Sequence, residues 1–228
     1  DSRPALAVSA AASLQRAFTR YGDQFPQATV RYSFAGSDAL AAQIEQGVDP
    51  DAFASANTSL PNRLYAKGLV GKPTIFASNR LVLAVPARST VTGLADLQKR
   101  GVTIAVGTPT VPVGGYTMTV LARLPATERR ALLANIVDRE PDVSGIVGKL
   151  TQGAVDAGFV YATDVAATRG ALRAIQLPAR LSPRVAYAVA IVTGTRHRAQ
   201  ARAFIAGLLS GAGRRDLLEA GFLPPAGQ

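Results

Sequence analysis

The sequence predicts an α/β fold with mostly parallel sheets. Short apolar runs of strand length alternate with segments of helical period along nearly the whole chain, and the helical segments stop at Gly or Pro. No apolar run approaches the ~20 residues of a membrane-spanning helix. The chain has 228 residues, 48% of them hydrophobic and 18% charged, which suits one large domain or two smaller lobes.

Strands are predicted at residues 6–10, 29–34, 52–55, 81–85, 103–106, 157–161 and 185–192. Between the first two, Leu14, Ala17, Phe18, Tyr21 and Phe25 form the apolar stripe of a helix. Leu40, Ala41 and Ile44 repeat that spacing before Gly47, Tyr116, Val120, Leu121 and Leu124 before Pro125, and Ile146, Val147 and Leu150 before Gly153. Two helices, 201–209 and 214–220, close the chain. The longest β-rich runs, 81–86 and 185–192, bracket the middle of the sequence and are read as strands that cross between lobes. Residues 1–80 and 191–228 then form lobe 1 and residues 81–190 lobe 2, with hinges near 79–82 and 188–191.

Composition excludes several function classes. The net charge of +10 invites a nucleic-acid reading, but the 21 Arg and 4 Lys are scattered singly or in pairs, with no aromatic residues interleaved as stacking platforms. A solvated surface explains them better, and nucleic acid is not expected as a partner. With no Cys and one His, disulfides, thiolate chemistry and His-based metal sites drop out; the acidic residues lack the spacing of a cation loop. His197, within Thr195-Arg196-His197-Arg198, is expected to face solvent. A serine hydrolase using Ser13 or Ser37 would therefore lack a base. The opening Asp1-Ser2-Arg3-Pro4, without Met, reads as a processed start from which a signal peptide is gone.

The informative positions are the strand-to-helix junctions. Ser13 follows Ala10-Ala11-Ala12, and Ser37 follows Ala35-Gly36, each where an N-cap belongs. Pro112-Val113-Gly114-Gly115 and Pro141-Asp142-Val143-Ser144 open two more helices. Helix starts carry unpaired N–H groups and a partial positive charge, so several together can hold an anion without a cationic side chain. A Ser at such a place serves equally well as an ordinary cap.

These junctions resemble those of the molybdate-binding proteins of bacterial ABC importers, which are solute-binding proteins. The resemblance runs from end to end. It is carried by Ala10-Ala11-Ala12-Ser13-Leu14, by Ser33-Phe34-Ala35-Gly36-Ser37 with Leu40-Ala41-x-Gln43-Ile44-Glu45-x-Gly47, and by Asp51-Ala52-Phe53-Ala54-Ser55-Ala56. It continues in Ala105-Val106-Gly107-x-Pro109, Val111-Pro112-Val113-Gly114-x-Tyr116, Asp142-Val143-x-Gly145 and Gly158-Phe159-Val160-Tyr161-x-x-Asp164-Val165.

The resemblance implies a two-lobed periplasmic-binding-protein fold of type II, each lobe a mixed, mostly parallel sheet flanked by helices. It implies a non-enzymatic role: molybdate or tungstate held in the inter-lobe cleft and delivered to a membrane permease. Its ligands would be Ser13, Ser37, the N–H groups of Val113 and Val143, and the phenol of Tyr161, which only the resemblance supplies. No cofactor and no metal beyond the anion's own is implied. The protein would be a monomer, periplasmic or otherwise outside the cytoplasm, free or lipid-anchored. Sulfate or phosphate on the same scaffold is the alternative ligand. Ligand sensing in transcription regulators shares this type of fold, but no DNA-binding segment precedes Leu6 in this sequence. Three positions depart from the family pattern: Asn57 stands where Asp is usual, Gly36 where Ser is common and Val113 where Ala is common. The bulk of Val113 at the pocket wall is expected to bear on size selection.

Overall fold

The structure, a computed structural model, describes residues 2–226. Asp1, where the sequence reading expects a processed start, lies outside them. The chain forms two compact units: residues up to Ser78 together with those from Ala186 onward, and the segment Asn79–Val185.

The first unit contains β1 (Ala5–Ala11), a 3₁₀ turn (Ala12–Leu14) leading into α1 (Gln15–Asp23), β2 (Thr29–Ala35), α2 (Ser37–Glu45), β3 (Ala52–Ser55), α3 (Ser59–Ala66) and β4 (Thr74–Asn79). The second contains β5 (Leu81–Pro86), β6 (Ile104–Gly107), α4 (Pro112–Ala122), α5 (Ala126–Ala134), β7 (Ile136–Glu140), α6 (Val143–Thr151), β8 (Ala157–Tyr161), α7 (Ala162–Ala167) and β9 (Leu172–Gln176). The chain returns through β10 (Val185–Ile191), α8 (Arg198–Ser210) and α9 (Ala212–Glu219).

Each unit has a five-stranded mixed sheet. The first has the order β2-β1-β3-β10-β4, with β1 parallel to β2 and β3, and β10 antiparallel to β3. The second has the order β7-β6-β8-β5-β9, with β6 parallel to β7 and β8, and β5 antiparallel to β8 and β9. In both, the three adjacent parallel strands end on one sheet edge, and a helix or helical turn starts from each end. In α/β sheets, ligands bind at such edges.

All seven strands expected from sequence form. Three others, β4, β7 and β9, lack a clear apolar run and lie at sheet edges, where one face of the ladder has no neighbour and half-exposed side chains are tolerated. Residues 188–191, expected near a hinge, pair with β3 inside the first sheet, and the division of the chain falls at Val185–Ala186.

The first core is aromatic. Phe18, Tyr21, Phe25 and Phe204 pack with ring centroids 4.8–5.7 Å apart, and Phe76 and Phe222 set their rings edge-on to Tyr187. Such pairs add about 0.5–1.5 kcal/mol each beyond the area they bury. Leu40, Ile44, Phe53, Leu60 and Leu64 form a second apolar cluster in the same unit. The core of the second unit is mainly aliphatic, with Leu81 to Val85, Ile104, Val120, Leu121, Ile146 and Leu150 all buried.

Candidate functional site

At the first sheet's edge, Ala11 is opposite Ala35 in register, so β1 and β2 end level. Ser13 lies in the 3₁₀ turn after β1, and Ser37 is the first residue of α2 after β2. Neither hydroxyl caps its helix, contrary to the N-cap reading: Ala11 and Gly36 hold the cap positions, and no side chain there bonds a helix N–H. Ser37 is 1% exposed, and its Oγ accepts the N–H of Ala56 at 3.1 Å. Ser13 Oγ lies 2.7 Å from the phenol oxygen of Tyr187. Gly36, where a Ser is common in the family, supplies its carbonyl to the N–H of Leu40.

The end of β3 is a third junction that the sequence reading did not single out. Asn57 Oδ1 accepts the N–H of Leu60 at 3.1 Å and the hydroxyl of Ser55 at 2.9 Å. The amide oxygen thus does what a carboxylate oxygen would do, and the Asp-to-Asn departure leaves the turn into α3 bonded. The signal was present in Ser55-Ala56-Asn57, small and polar residues directly after a strand.

In the second unit β7, β6 and β8 lie side by side and lead into α6, α4 and α7. Val113, Val143 and Tyr161 therefore stand at one sheet edge. Val113 is the second residue of α4, after Pro112 at the first position, where a missing N–H does no harm. The start of α4 presses against the end of β6. A Cβ on Gly114 would collide with the carbonyl of Thr108, and one on Gly107 would lie 2.8 Å from the N of Gly114 and from Val113 Cγ1. Val113 is 1% exposed with its isopropyl group over Gly107, so its extra bulk is taken up by packing against β6.

Val143 opens α6 directly after its cap. Asp142 Oδ1 accepts the N–H groups of Ser144 at 2.8 Å and Gly145 at 3.2 Å, which leaves the N–H of Val143 outside the cap. Tyr161, 1% exposed, ends β8 and stands at the cap position of α7, its ring edge-on to Tyr116 at 6.3 Å. Three bonds hold this corner. Asp164 Oδ2 accepts the N–H of Tyr161 at 2.9 Å, the carbonyl of Arg80 accepts the N–H of Ala162 at 2.9 Å, and Asn79 Nδ2 donates to Thr163 Oγ1 at 2.9 Å. Burial pushes the Asp164 carboxyl up to about 7; the Tyr161 N–H opposes this, and the charge of Asp142 adds to it.

The structure thus brings Ser13 and Ser37 together at one edge, and Val113, Val143 and Tyr161 together at another. Among the described residues no cluster of three or more His, Asp or Glu could hold a metal ion. Among the described residues no Arg or Lys is buried. His197 is less free than expected: its side chain is 38% exposed, and Nδ1 lies 3.2 Å from Asp51 Oδ1. Asp51, 7% exposed, also accepts the N–H of Ala7 at 2.7 Å and the hydroxyl of Thr195 at 2.5 Å. This ties β1, β3 and the start of α8 together and leaves no arrangement resembling a serine–histidine pair.

Comparison with known proteins agrees with this architecture. Residues 6–223 match the family model for bacterial extracellular solute-binding proteins. The molybdate-binding protein ModA of Mycobacterium tuberculosis is 35% identical over 227 residues, covering 96% of this chain and 85% of its own. The periplasmic molybdate-binding protein of Azotobacter vinelandii superposes with a TM-score of 0.84 at 23% identity, over 96% of this chain and 99% of its own. The sulfate-binding protein SubI of Mycobacterium tuberculosis does so with 0.87 at 16% identity, over 99% and 88%. At those identities the two solved structures speak for the fold. The chain belongs to the bacterial extracellular solute-binding proteins of ABC transporters, a family of binding proteins and not of enzymes, and within it is akin to the molybdate-binding protein ModA.

Proposed function

We propose that this protein binds molybdate or tungstate outside the cytoplasm and hands it to the permease of an ABC importer. Ser13, Ser37, the N–H groups of Val113 and Val143, and Tyr161 are its ligands, acting together on one anion in the cleft between the lobes. The protein works as a monomer and needs no cofactor. The observation that carries the reading is that these five positions gather as two sets, each at the carboxyl edge of a parallel strand trio, in a chain akin to ModA.

The chemistry suits a doubly charged tetrahedral anion. Molybdate and tungstate carry no proton near neutral pH and only accept hydrogen bonds; hydroxyls and amides can all donate to them. A hydrogen phosphate must also place its own proton on an acceptor, which favours the metal oxyanions. Sulfate is equally unprotonated, so its rejection rests on size, the larger anions reaching donors that sulfate leaves unfilled. The exposed arginines steer a dianion toward the protein in a salt-dependent way without touching it.

Thermal unfolding with added anions tests this. A hundredfold excess of molybdate over its Kd adds about 2.7 kcal/mol, or roughly 5–10 °C in melting temperature for a chain of this size. A shift with sulfate or phosphate and none with molybdate overturns the assignment. Elemental analysis of protein incubated with equal molybdate, tungstate, sulfate and phosphate ranks the ligands.

A further inference from the structure

Resting on that functional reading, we propose that Tyr187 is a positioning residue for anion binding: its phenol donates to Ser13 Oγ and so reserves the Ser13 proton for the ligand. Ser37 shows the pattern without ambiguity. Its Oγ accepts from the backbone N–H of Ala56, and an N–H can only donate. A hydroxyl that already accepts a bond from the protein keeps its single proton to give. At Ser13 the partner is the Tyr187 hydroxyl, 2.7 Å away, a contact in which either oxygen could supply the proton. A phenol is a far stronger acid than an alkanol and so the better donor, which sets the direction from Tyr187 to Ser13.

The surroundings hold the phenol in place. Tyr187 is 0% exposed, in the middle of β10, with Phe76 and Phe222 edge-on to its ring at 6.2 and 5.3 Å. Phe222 is itself anchored by its C-terminal neighbours: Leu223 exchanges two backbone bonds with Ser78, and the Ser78 hydroxyl donates to the carbonyl of Pro224. The ring is therefore fixed by apolar contacts that do not depend on the hydroxyl. Loss of that hydroxyl alone should leave the fold in place.

Ser37 and Ser13 then differ in one respect. The Ser37 rotor is set by the main chain of its own sheet edge, and no side-chain substitution removes it. The Ser13 rotor is set by one phenol from a strand far away in sequence, and Tyr187→Phe releases it.

Molybdate affinity of the intact protein, Tyr187→Phe, Ser13→Ala and the double variant, measured by calorimetry with ligand-free melting curves alongside, tests the proposal. Tyr187→Phe is expected to weaken molybdate binding on the order of fivefold to tenfold with the ligand-free melt little changed. In the Ser13→Ala background the same change is expected to have less than about a twofold effect, because the proposed route through the Ser13 hydroxyl is gone. Unchanged or tighter binding in Tyr187→Phe means that Ser13 is the donor, and overturns the proposal. Equal losses in both backgrounds overturn it too, since Tyr187 then acts through packing. If the intact protein does not bind molybdate, the functional reading fails before Tyr187 is reached; if it binds and the cycle is additive, the positioning role alone fails.

Discussion

In the first unit the groups at the sheet edge are side-chain hydroxyls, Ser13 and Ser37, each with its oxygen engaged by a buried partner. In the second they are backbone N–H groups at the starts of α4 and α6, with the phenol of Tyr161 beside them. A hydroxyl rotates and has to be oriented by a neighbour. An amide at a helix start is oriented by the helix itself, and what it needs is close approach, which Gly107 and Gly114 allow at the second edge. The two edges are therefore vulnerable to different substitutions.

The largest effect is expected from Gly114→Ala. The new methyl meets the carbonyl of Thr108, which is backbone and cannot swing aside. The α4 start must move, with an expected drop of about 5–10 °C in melting temperature and loss of most molybdate affinity. An alanine tolerated there in both assays would mean that close approach does not set the second edge. The first edge breaks more gently. Ser37→Ala removes one donor and the hydroxyl that accepts the Ala56 N–H, so affinity should fall about tenfold to a hundredfold and stability by roughly 1–2 kcal/mol, read by calorimetry and urea unfolding.

Tyr161→Phe removes a phenol from a ring that Tyr116 still packs against, so the expected loss is one of affinity, about tenfold, with the melt unchanged. Unaltered affinity removes Tyr161 from the ligand set. The smallest effect concerns pH. Asp164 has its carboxyl raised from 3.8 to about 7 in the folded protein, mainly by burial. The folded state thus keeps a proton that the unfolded state releases, so this group's share of stability is present at low pH, is lost as pH rises from about 4 to about 7, and is level above that. Asp164→Asn should flatten this dependence in melting curves taken between pH 5 and pH 8, by a few degrees at most. A pH dependence identical to that of the unaltered protein would show that Asp164 ionises as an exposed carboxyl does.

Much of the fold was legible because period and punctuation agree. Apart from β2, which has no fully buried residue, every predicted strand lies in an element rich in buried residues, and α4 and α6 start at or just after Pro112 and Pro141, where the sequence announced them. The edge strands were less legible. Ile136–Glu140 alternates half-buried and exposed residues too weakly to stand out from a loop. Ser13 and Ser37 were correctly placed at strand ends but given the wrong local task, since a cap and a non-cap Ser look alike in sequence. His197 was read as solvent-facing because its neighbours are charged; its partner Asp51 stands on the other side of the sequence and carried no sign of the pairing.

The sequence by itself determined the strand-helix alternation, the two-unit plan, a side-chain inventory with no Cys and a single His, and the placement of small residues where helices leave strands. These follow from local periodicity and residue type, which are properties of neighbours in the chain. The tertiary structure decided which junctions share an edge, which oxygen each serine faces, and that Asp142 and Asp164 are occupied with helix caps and strand ends. Those depend on β10 crossing from residue 185 to lie against β3, and on Tyr187 thereby reaching Ser13. Partners 174 residues apart in sequence are set by sheet topology, and no local pattern records them.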